Sequence, residues 1–341
     1  MALFASEFEQ AMSQALADFN AGRLPQTEAA CLRLLQDDGD NPAVHQLLAV
    51  SLFQRRQTGP ARQHILLSLA RRPDHVASLL LAGKIACANG AAAVAVPHFE
   101  RAAALAPDAA EPAFLLGATL AQLRHPAAIA ALQRLLLRHP AHAGGWCALG
   151  LALKHADDAH AALQAFERAV DSDAGMAPAH FHRANILQKL GQSTAAILSY
   201  RAARRLDPAA MEVAFNLGVA LHQAGELDEA RAMLESAVAL APAFADAWFS
   251  LGLVRQDMRE LAGAADAFRT ALRHRPDYAE AAVNLGIVLQ ESAAMEEAMD
   301  AYRLAVRLRP DTFSRIAQAL TAASSGMLFL DMNALRRNLL I

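Results

Sequence analysis

Lysine is nearly absent from this 341-residue chain: it occurs at Lys84, Lys154 and Lys189, and every other basic side chain apart from histidine is arginine. Aromatic residues make up only 6%, although hydrophobic residues make up 55%. So few large rings argue against a β-sandwich or a Rossmann sheet. Alanine supplies much of the apolar share, and alanine is the best helix former and lets helices approach closely. An excess of one charge is also missing. The net charge of −3 provides no global basic field to hold nucleic acid or an anionic membrane. Cysteine is scarce, and Cys31, Cys87 and Cys147 lie far apart without a CxxC or Cys/His cluster, which excludes a disulfide framework and a zinc site. The start, MALFASEFEQAM, lacks the basic and apolar regions of a signal peptide. The most apolar run, 79–96, is broken by Lys84, Asn89 and Gly90, so no integral membrane segment is expected. A reducing cytoplasm is the expected compartment. The alanine excess and the choice of arginine over lysine point to a bacterial, GC-rich genome.

What is present is a period. Pro208, Pro242, Pro276 and Pro310 follow one another at intervals of 34 residues, and Pro73, Pro107 and Pro140 extend the series upstream, with Ala174 in the remaining slot. Ten residues after the prolines stand Gly117, Gly150, Gly218, Gly252 and Gly286, each preceded by leucine. Small residues then recur at Ala61, Ala95, Ala162, Ala196, Ala230, Ala264 and Ala298. Large ones recur at Ile65, Phe99, Leu132, Phe166, Tyr200, Leu234, Phe268 and Tyr302. Such a period marks a repeat architecture.

The alternation has a physical cause. Antiparallel helices pack closely only where Gly or Ala removes the side chain at the crossing, and a large residue fills the hole beside it. Proline ends each second helix. Arginine and histidine gather just before those prolines (Arg71-Arg72, Arg138-His139, Arg204-Arg205, Arg273-His274-Arg275), where the helix dipole favours positive charge.

At these residues the sequence resembles the tetratricopeptide-repeat (TPR) family. The stretches 245–276 and 279–310 match its small/large consensus most closely. The fold class the resemblance implies is all-α: a right-handed superhelical solenoid of about nine TPR helical hairpins. They start near residues 8, 42, 76, 110, 143, 177, 211, 245 and 279 and fill a domain spanning 1–312. Departures occur. The first unit carries Gln14-Ala15, Thr27 and Gly39 in place of Leu-Gly, Ala and Pro, which makes it a capping repeat. Arg183-Ala184 replaces Leu-Gly in the sixth. The fourth is one residue short, and Pro97 is expected to delay or kink the second helix of the third. Residues 313–341 leave the period. Within them 313–323 reads as a capping helix, 324–326 as a turn, and Asp331 as the cap of a final helix from Met332 to about Leu340 with the stripe Met332, Leu335, Leu339. That last helix is either a cap or a docking element for a partner or a second copy.

In the family the first helix of each hairpin lines a concave groove that holds the ligand. The resemblance therefore implies protein-binding residues on one inward stripe: Phe114, Phe181, Phe215 and Phe249, continued by Cys147 and Val283, with His182, Asn216, Ser250 and Asn284 one residue later. Asn185, Gln188, Lys189, His222, Gln223, Gln256 and Gln290 are placed on the same surface. Amide side chains can both donate to and accept from the bare backbone of an extended peptide. The two asparagines resemble the ladder in the repeat arm of O-linked N-acetylglucosamine transferases, although no transferase domain accompanies them here. The full Lys, Asn and Arg set that clamps C-terminal carboxylates in some relatives is missing.

Catalytic signatures are lacking. No GxxxxGKS/T, GxGxxG or GxSxG motif occurs, and none of the thirteen histidines forms HExxH. The chain is read as a non-enzyme with no cofactor and no metal. The arginine clusters are read as dipole-complementing caps in preference to an RNA-binding ridge. The expected function is a cytoplasmic scaffold or adaptor that binds a protein partner, as a peptide or a helix, in the groove. The alternatives are a self-assembling structural protein, in an oligomer or coat, and the accessory arm of an enzyme on another chain.

Overall fold

The computed structural model describes residues 2–37, 40–322, 335–337 and 339. Its helices divide between two compact units, residues 1–174 and 175–341. The first unit holds α1 (Ala2–Asn20), α2 (Leu24–Asp37), α3 (Pro42–Gln54), α4 (Thr58–Arg71), α5 (Val76–Ala88), α6 (Ala92–Leu105), α7 (Ala110–Gln122), α8 (Ala127–Arg138), α9 (Ala143–His155) and α10 (Ala159–Ser172). The second holds α11 (Ala177–Lys189), α12 (Ser193–Leu206), α13 (Met211–Gln223), α14 (Leu227–Leu240), α15 (Ala245–Asp257), α16 (Leu261–His274), α17 (Ala279–Glu291), α18 (Met295–Leu308), a 3-10 turn at Pro310–Thr312 and α19 (Phe313–Ala322). No strand occurs among the described residues. From α1 to α18 the helices pack as successive pairs, odd with even.

One turn joins the two helices of every pair. A single residue with positive φ sits at positions 22, 56, 90, 124, 157, 191, 225, 259 and 293. In each case its N–H and the next one bond back into the preceding helix, as Gly225 N to His222 O (3.0 Å) and Glu226 N to Leu221 O (2.9 Å) do. This two-bond cap satisfies carbonyls that the helix end leaves bare. Glycine fills the left-handed slot in four hairpins. Arg56, Arg124, Asp157, Arg259 and Ala293 fill it in the others, where a Cβ costs about 1–2 kcal/mol. Between pairs, the residue before each proline is forced toward extended backbone: Arg275 has φ −136° and ψ 88°, Asp207 −131° and 87°. Asp173 adopts the same conformation (−149°, 96°) before Ala174, so the slot holds its geometry without proline.

The crossing inside each pair carries the packing. A Cβ placed on Gly150 would lie 2.6 Å from Phe166, and one on Gly252 2.5 Å from Phe268. Gly117 meets Leu132, Gly218 meets Leu234, and Gly83 and Gly286 lie against Phe99 and Tyr302 in the same way. Those large side chains are all fully buried. In the sixth pair Ala184 stands in the glycine slot opposite buried Tyr200. Its neighbour Arg183 donates to Ser199 Oγ (3.1 Å), so the guanidinium is satisfied where the repeat elsewhere buries leucine.

Pro97 does not delay its helix: α6 starts at Ala92 and runs through it. The ring lies on an exposed face, where the carbonyl it frees can reach water. At the far end α19 packs on α17, burying Ile316 and Leu320 in one cluster with Val288, Tyr302, Leu335 and Leu339. The expected turn at 324–326, Asp331 and Met332 lie outside the described residues, as does Gly39.

The crossing is testable. Gly252→Ala should destabilise the protein by about 2 kcal/mol through overpacking against Phe268. Gly263→Ala, in the same hairpin and facing only the flexible Arg255 side chain, should stabilise it by about 0.5–1 kcal/mol. Urea unfolding of both variants checks the contrast. A second expectation concerns pH. Burial depresses His64 below the ordinary imidazole range, helped by His45, whose ring stacks on it at 5.2 Å with Nδ1 atoms 3.0 Å apart; burial also depresses His98. The folded state therefore prefers the neutral rings. Stability should hold above about pH 6.5 and fall as pH drops from there toward the lowered native values, where the unfolded chain binds more protons. Urea midpoints at pH 7.5 and 5 for wild type, His64→Gln and His98→Gln should show the slope flattened in the variants.

Candidate interaction surface

In the second unit the first helices α13, α15 and α17 pack side by side, and hydrogen bonds tie α11 to α13. The 34-residue period puts equivalent positions in columns across them: His182, Asn216, Ser250 and Asn284; Asn185, Val219, Leu253 and Ile287; Lys189, Gln223, Asp257 and Glu291. These steps of three and four keep the columns on one helical face.

An amide cluster spans α11 and α13. Asn185 Oδ1 accepts from Tyr200 Oη at 2.5 Å and from Asn216 Nδ2 at 3.4 Å. Gln188 Oε1 lies 3.0 Å from the same hydroxyl and shares its one proton with Asn185, while Gln188 Nε2 donates to Gln223 Oε1 at 3.2 Å. Burial raises the Tyr200 hydroxyl well above the ordinary phenol range, which keeps it a donor. Asn185, Gln188 and Asn216 are half-buried and Gln223 is exposed, so their outer donors and acceptors face solvent. Beside them Val219 and Leu253 are half-buried, forming an apolar column between polar ones. Farther along, His222 Nε2 meets Asp257 Oδ2 at 2.7 Å, and Ser250 and Gln256 are half-buried.

The phenylalanines of the stripe pack against neighbouring rings. Phe181 leans on Tyr200 (ring centroids 6.1 Å) and on His182 (5.3 Å); Phe215 packs edge-on against Phe244 (5.0 Å). Phe249 sits between Phe268 (5.7 Å) and Tyr278 (4.9 Å). These rings are half-buried: Phe181 and Phe249 lean on the second helix of their own hairpin, and Phe215 and Phe249 also meet the residue that precedes the next first helix, Phe244 and Tyr278. Phe114, in the first unit, packs on His142 at 4.9 Å. Cys147 and Val283 are buried outright. Asn284 is a correction: it is 4% exposed, donating to Glu280 O and accepting from Arg315 Nη2 at 2.7 Å under α19. Gln290 is likewise 1% exposed, accepting from Tyr302 Oη at 2.8 Å and donating to Ala319 O at 3.1 Å. The accessible amides thus stop at the last hairpin because the capping helix covers that stretch.

The arginine clusters find specific partners. Arg275 holds both oxygens of Asp246 (2.8 and 2.6 Å), and Arg309 pairs with Glu280 at 2.5 Å, each reaching back to the first turn of its own hairpin. Arg275 and then Tyr278 hold Asp246 below the usual carboxylate range. Second helices are stapled to one another by Arg201–Glu229 (2.5 Å), Arg231–Glu260 and Arg269–Glu297 (2.5 Å). Both tryptophans donate Nε1 to the carbonyl of the proline six residues earlier, Pro140 and Pro242. Among the described residues no group of three or more His, Cys, Asp or Glu could hold a metal ion, and no helix is long and apolar enough to cross a membrane. The Val219–Leu253–Ile287 column escapes the sequence reading, although the 34-residue step from Asn185 leads to it.

The sequence profile of the tetratricopeptide repeat matches residues 118–177, 181–247, 223–255 and 249–312, more than half of the chain. Comparison with curated proteins gives no match. Among solved structures the chain is similar to YrrB, described as a TPR protein with an unusual peptide-binding site, at 21% identity and a TM-score of 0.52 over 56% of this chain and 97% of that one. The C-terminal part of a TPR repeat-containing protein from Cytophaga hutchinsonii aligns at 14% identity and a TM-score of 0.53, over 70% and 98%. MamA from Desulfovibrio magneticus RS-1 aligns at 19% identity and a TM-score of 0.47, over 50% and 96%. YrrB and the Cytophaga protein share the fold, and at these identities nothing more is carried over.

The two buried tyrosines separate structural from surface amides. Tyr302→Phe should destabilise the protein by about 1–3 kcal/mol, because Gln290 Oε1 is left buried without its donor. Tyr200→Phe should cost less, since half-buried Asn185 and Gln188 can turn to water. Thermal melts of the pair, followed by circular dichroism, check the ranking.

Proposed function

This chain belongs to the tetratricopeptide-repeat family, and we propose that it is a non-enzymatic scaffold or adaptor that binds a peptide segment of another protein on the first-helix face of its second unit. The observation that carries this reading is the amide cluster of Asn185, Gln188, Asn216 and Gln223. These side chains are oriented by one another and by Tyr200, so they are ordered before a ligand arrives, and less side-chain entropy is lost on binding. An extended peptide brings alternating N–H and C=O groups that amides can match, and side chains that the Val219–Leu253 column can cover. His182, Ser250, His222 and Gln256 border this surface. Phe181, Phe215 and Phe249 support it from beneath.

The repeats are proposed to span 1–312, with 313–341 capping the last apolar face. Burial pushes the Cys31 and Cys147 thiols up to about 11, leaving them unreactive near neutral pH. Three free cysteines suit a cytoplasmic protein.

A photo-crosslinking residue at Ser250 or Gln223 tests the proposal. Cells expressing the full chain should yield a covalent adduct with a second polypeptide. The same residue at Leu198, 60% exposed on α12, should yield none. Asn185→Ala with Asn216→Ala should lower the affinity of the captured partner about tenfold with little change in helicity, since each lost hydrogen bond is worth about 1 kcal/mol. Equal capture from the α12 position, or undiminished affinity in the double variant, would overturn the assignment. A captured second copy of this chain would instead mark self-association.

A further inference from the structure

The first unit carries an opening that the repeat pattern does not require. The residue four positions after the large side chain of each second helix forms a column: Leu69, Ala103, Leu136, Val170, Arg204, Val238, Leu272 and Val306. Leu136, Val238 and Val306 are buried there. Only Ala103 is small. Where its missing side chain would stand, a cavity of about 570 Å³ lies between α6 and α8, with Ala103, Ala113, Leu116 and Leu135 on its floor. α8 belongs to the short fourth hairpin, and beside it α7 packs directly against α9. Two glycines of α9 fit these contacts: a Cβ on Gly144 would lie 3.3 Å from Phe114 of α7, and one on Gly145 2.9 Å from Leu135 of α8.

The rim identifies the occupant. Leu137, on α8, is 83% exposed, the most exposed large apolar side chain described. Arg134 and Arg138 flank it one helical turn apart, about 6 Å between Cβ atoms. Their guanidinium groups donate to backbone, Arg134 Nε to Ala130 O and Arg138 Nη1 to Pro107 O, and neither pairs with a carboxylate among the described residues. Glu100 is the one acidic residue lining the cleft, and Arg101 beside it is already held by Asp74. An apolar floor, a protruding leucine and a net positive rim meet in one place.

We propose that this cleft, on the second-helix side of the first unit, is a second docking site, and that it takes an acidic amphipathic helix of a partner protein. Leucine-like side chains of that helix fill the space beside Ala103, and carboxylates one turn apart engage Arg134 and Arg138. The surface lies in the other unit from the amide cluster, so each proposal stands or falls alone.

The test uses the full chain and a labelled synthetic helical peptide with leucines at i and i+4 flanked by glutamates, followed by fluorescence anisotropy. A version with lysine for each glutamate serves as control. The glutamate peptide should bind and the lysine peptide should not, with affinity falling as salt rises. Ala103→Leu supplies a side chain that the column accepts elsewhere, so the fold should persist while affinity drops at least about tenfold. Leu137→Ser, at an exposed position, should weaken binding without touching the core, and Arg134→Gln with Arg138→Gln should remove most of the salt dependence. Equal binding by Ala103→Leu and Leu137→Ser, or by the lysine peptide, would overturn the proposal. So would a dimer in sedimentation that Ala103→Leu converts to monomer, since the occupant would then be a second copy.

Discussion

Everything in this protein rests on a contact repeated along the chain: a first helix without a side chain at its crossing point, and a large buried residue from its partner lying in the gap. Phe166 over Gly150 and Phe268 over Gly252 show how little room exists. Dispersion falls steeply with distance, so a crossing opened by one methyl group forfeits much of what holds a hairpin together. Alanine occupies the slot in three hairpins, Ala15 with buried Cys31, Ala49 with Ile65 and Ala184 with Tyr200. The substitution of tyrosine for phenylalanine then brings a hydroxyl into a dry place, and both central cases recruit amides: Gln290 under the capping helix, Asn185 and Gln188 at the surface. The candidate peptide site thus grows out of a packing solution.

Much of the fold was legible because sterics write themselves into sequence at a fixed interval. Proline, glycine and the large residue recur where the backbone or the crossing permits nothing else. The left-handed turn residue recurs just as strictly, yet it was not legible, since Gly, Arg, Asp and Ala all occupy it and the hydrogen bonds around it are made by backbone. The arginines were visible as clusters, but their partners were not. Arg275 and Arg309 answer acids 29 positions upstream, a distance that only the folded hairpin closes.

The interaction surface was less legible. Family geometry put the phenylalanines on one inward stripe, and it could not say that each is half-buried against another ring, Tyr200, Phe244, Phe268 or Tyr278. Asn284 has the repeat position of Asn216 and a different fate, because Arg315 lies outside the period and no spacing argument could bring it there. Ala103 was hidden for the opposite reason. In a chain so rich in alanine one more attracts no notice, and its meaning appears only when the column it belongs to is otherwise filled by larger side chains.

The row of arginine–glutamate staples along α12, α14, α16 and α18 has a mechanical corollary. Each staple spans one boundary between adjacent hairpins and none spans two. Apolar packing crosses the same boundaries, as where Phe268 of α16 shares a buried cluster with Val283 and Leu285 of α17, so screening a pair with salt loosens a boundary without opening it. A disturbance at one hairpin is therefore passed on only through the hairpins beside it, each boundary carrying its own apolar contact and its own charge pair.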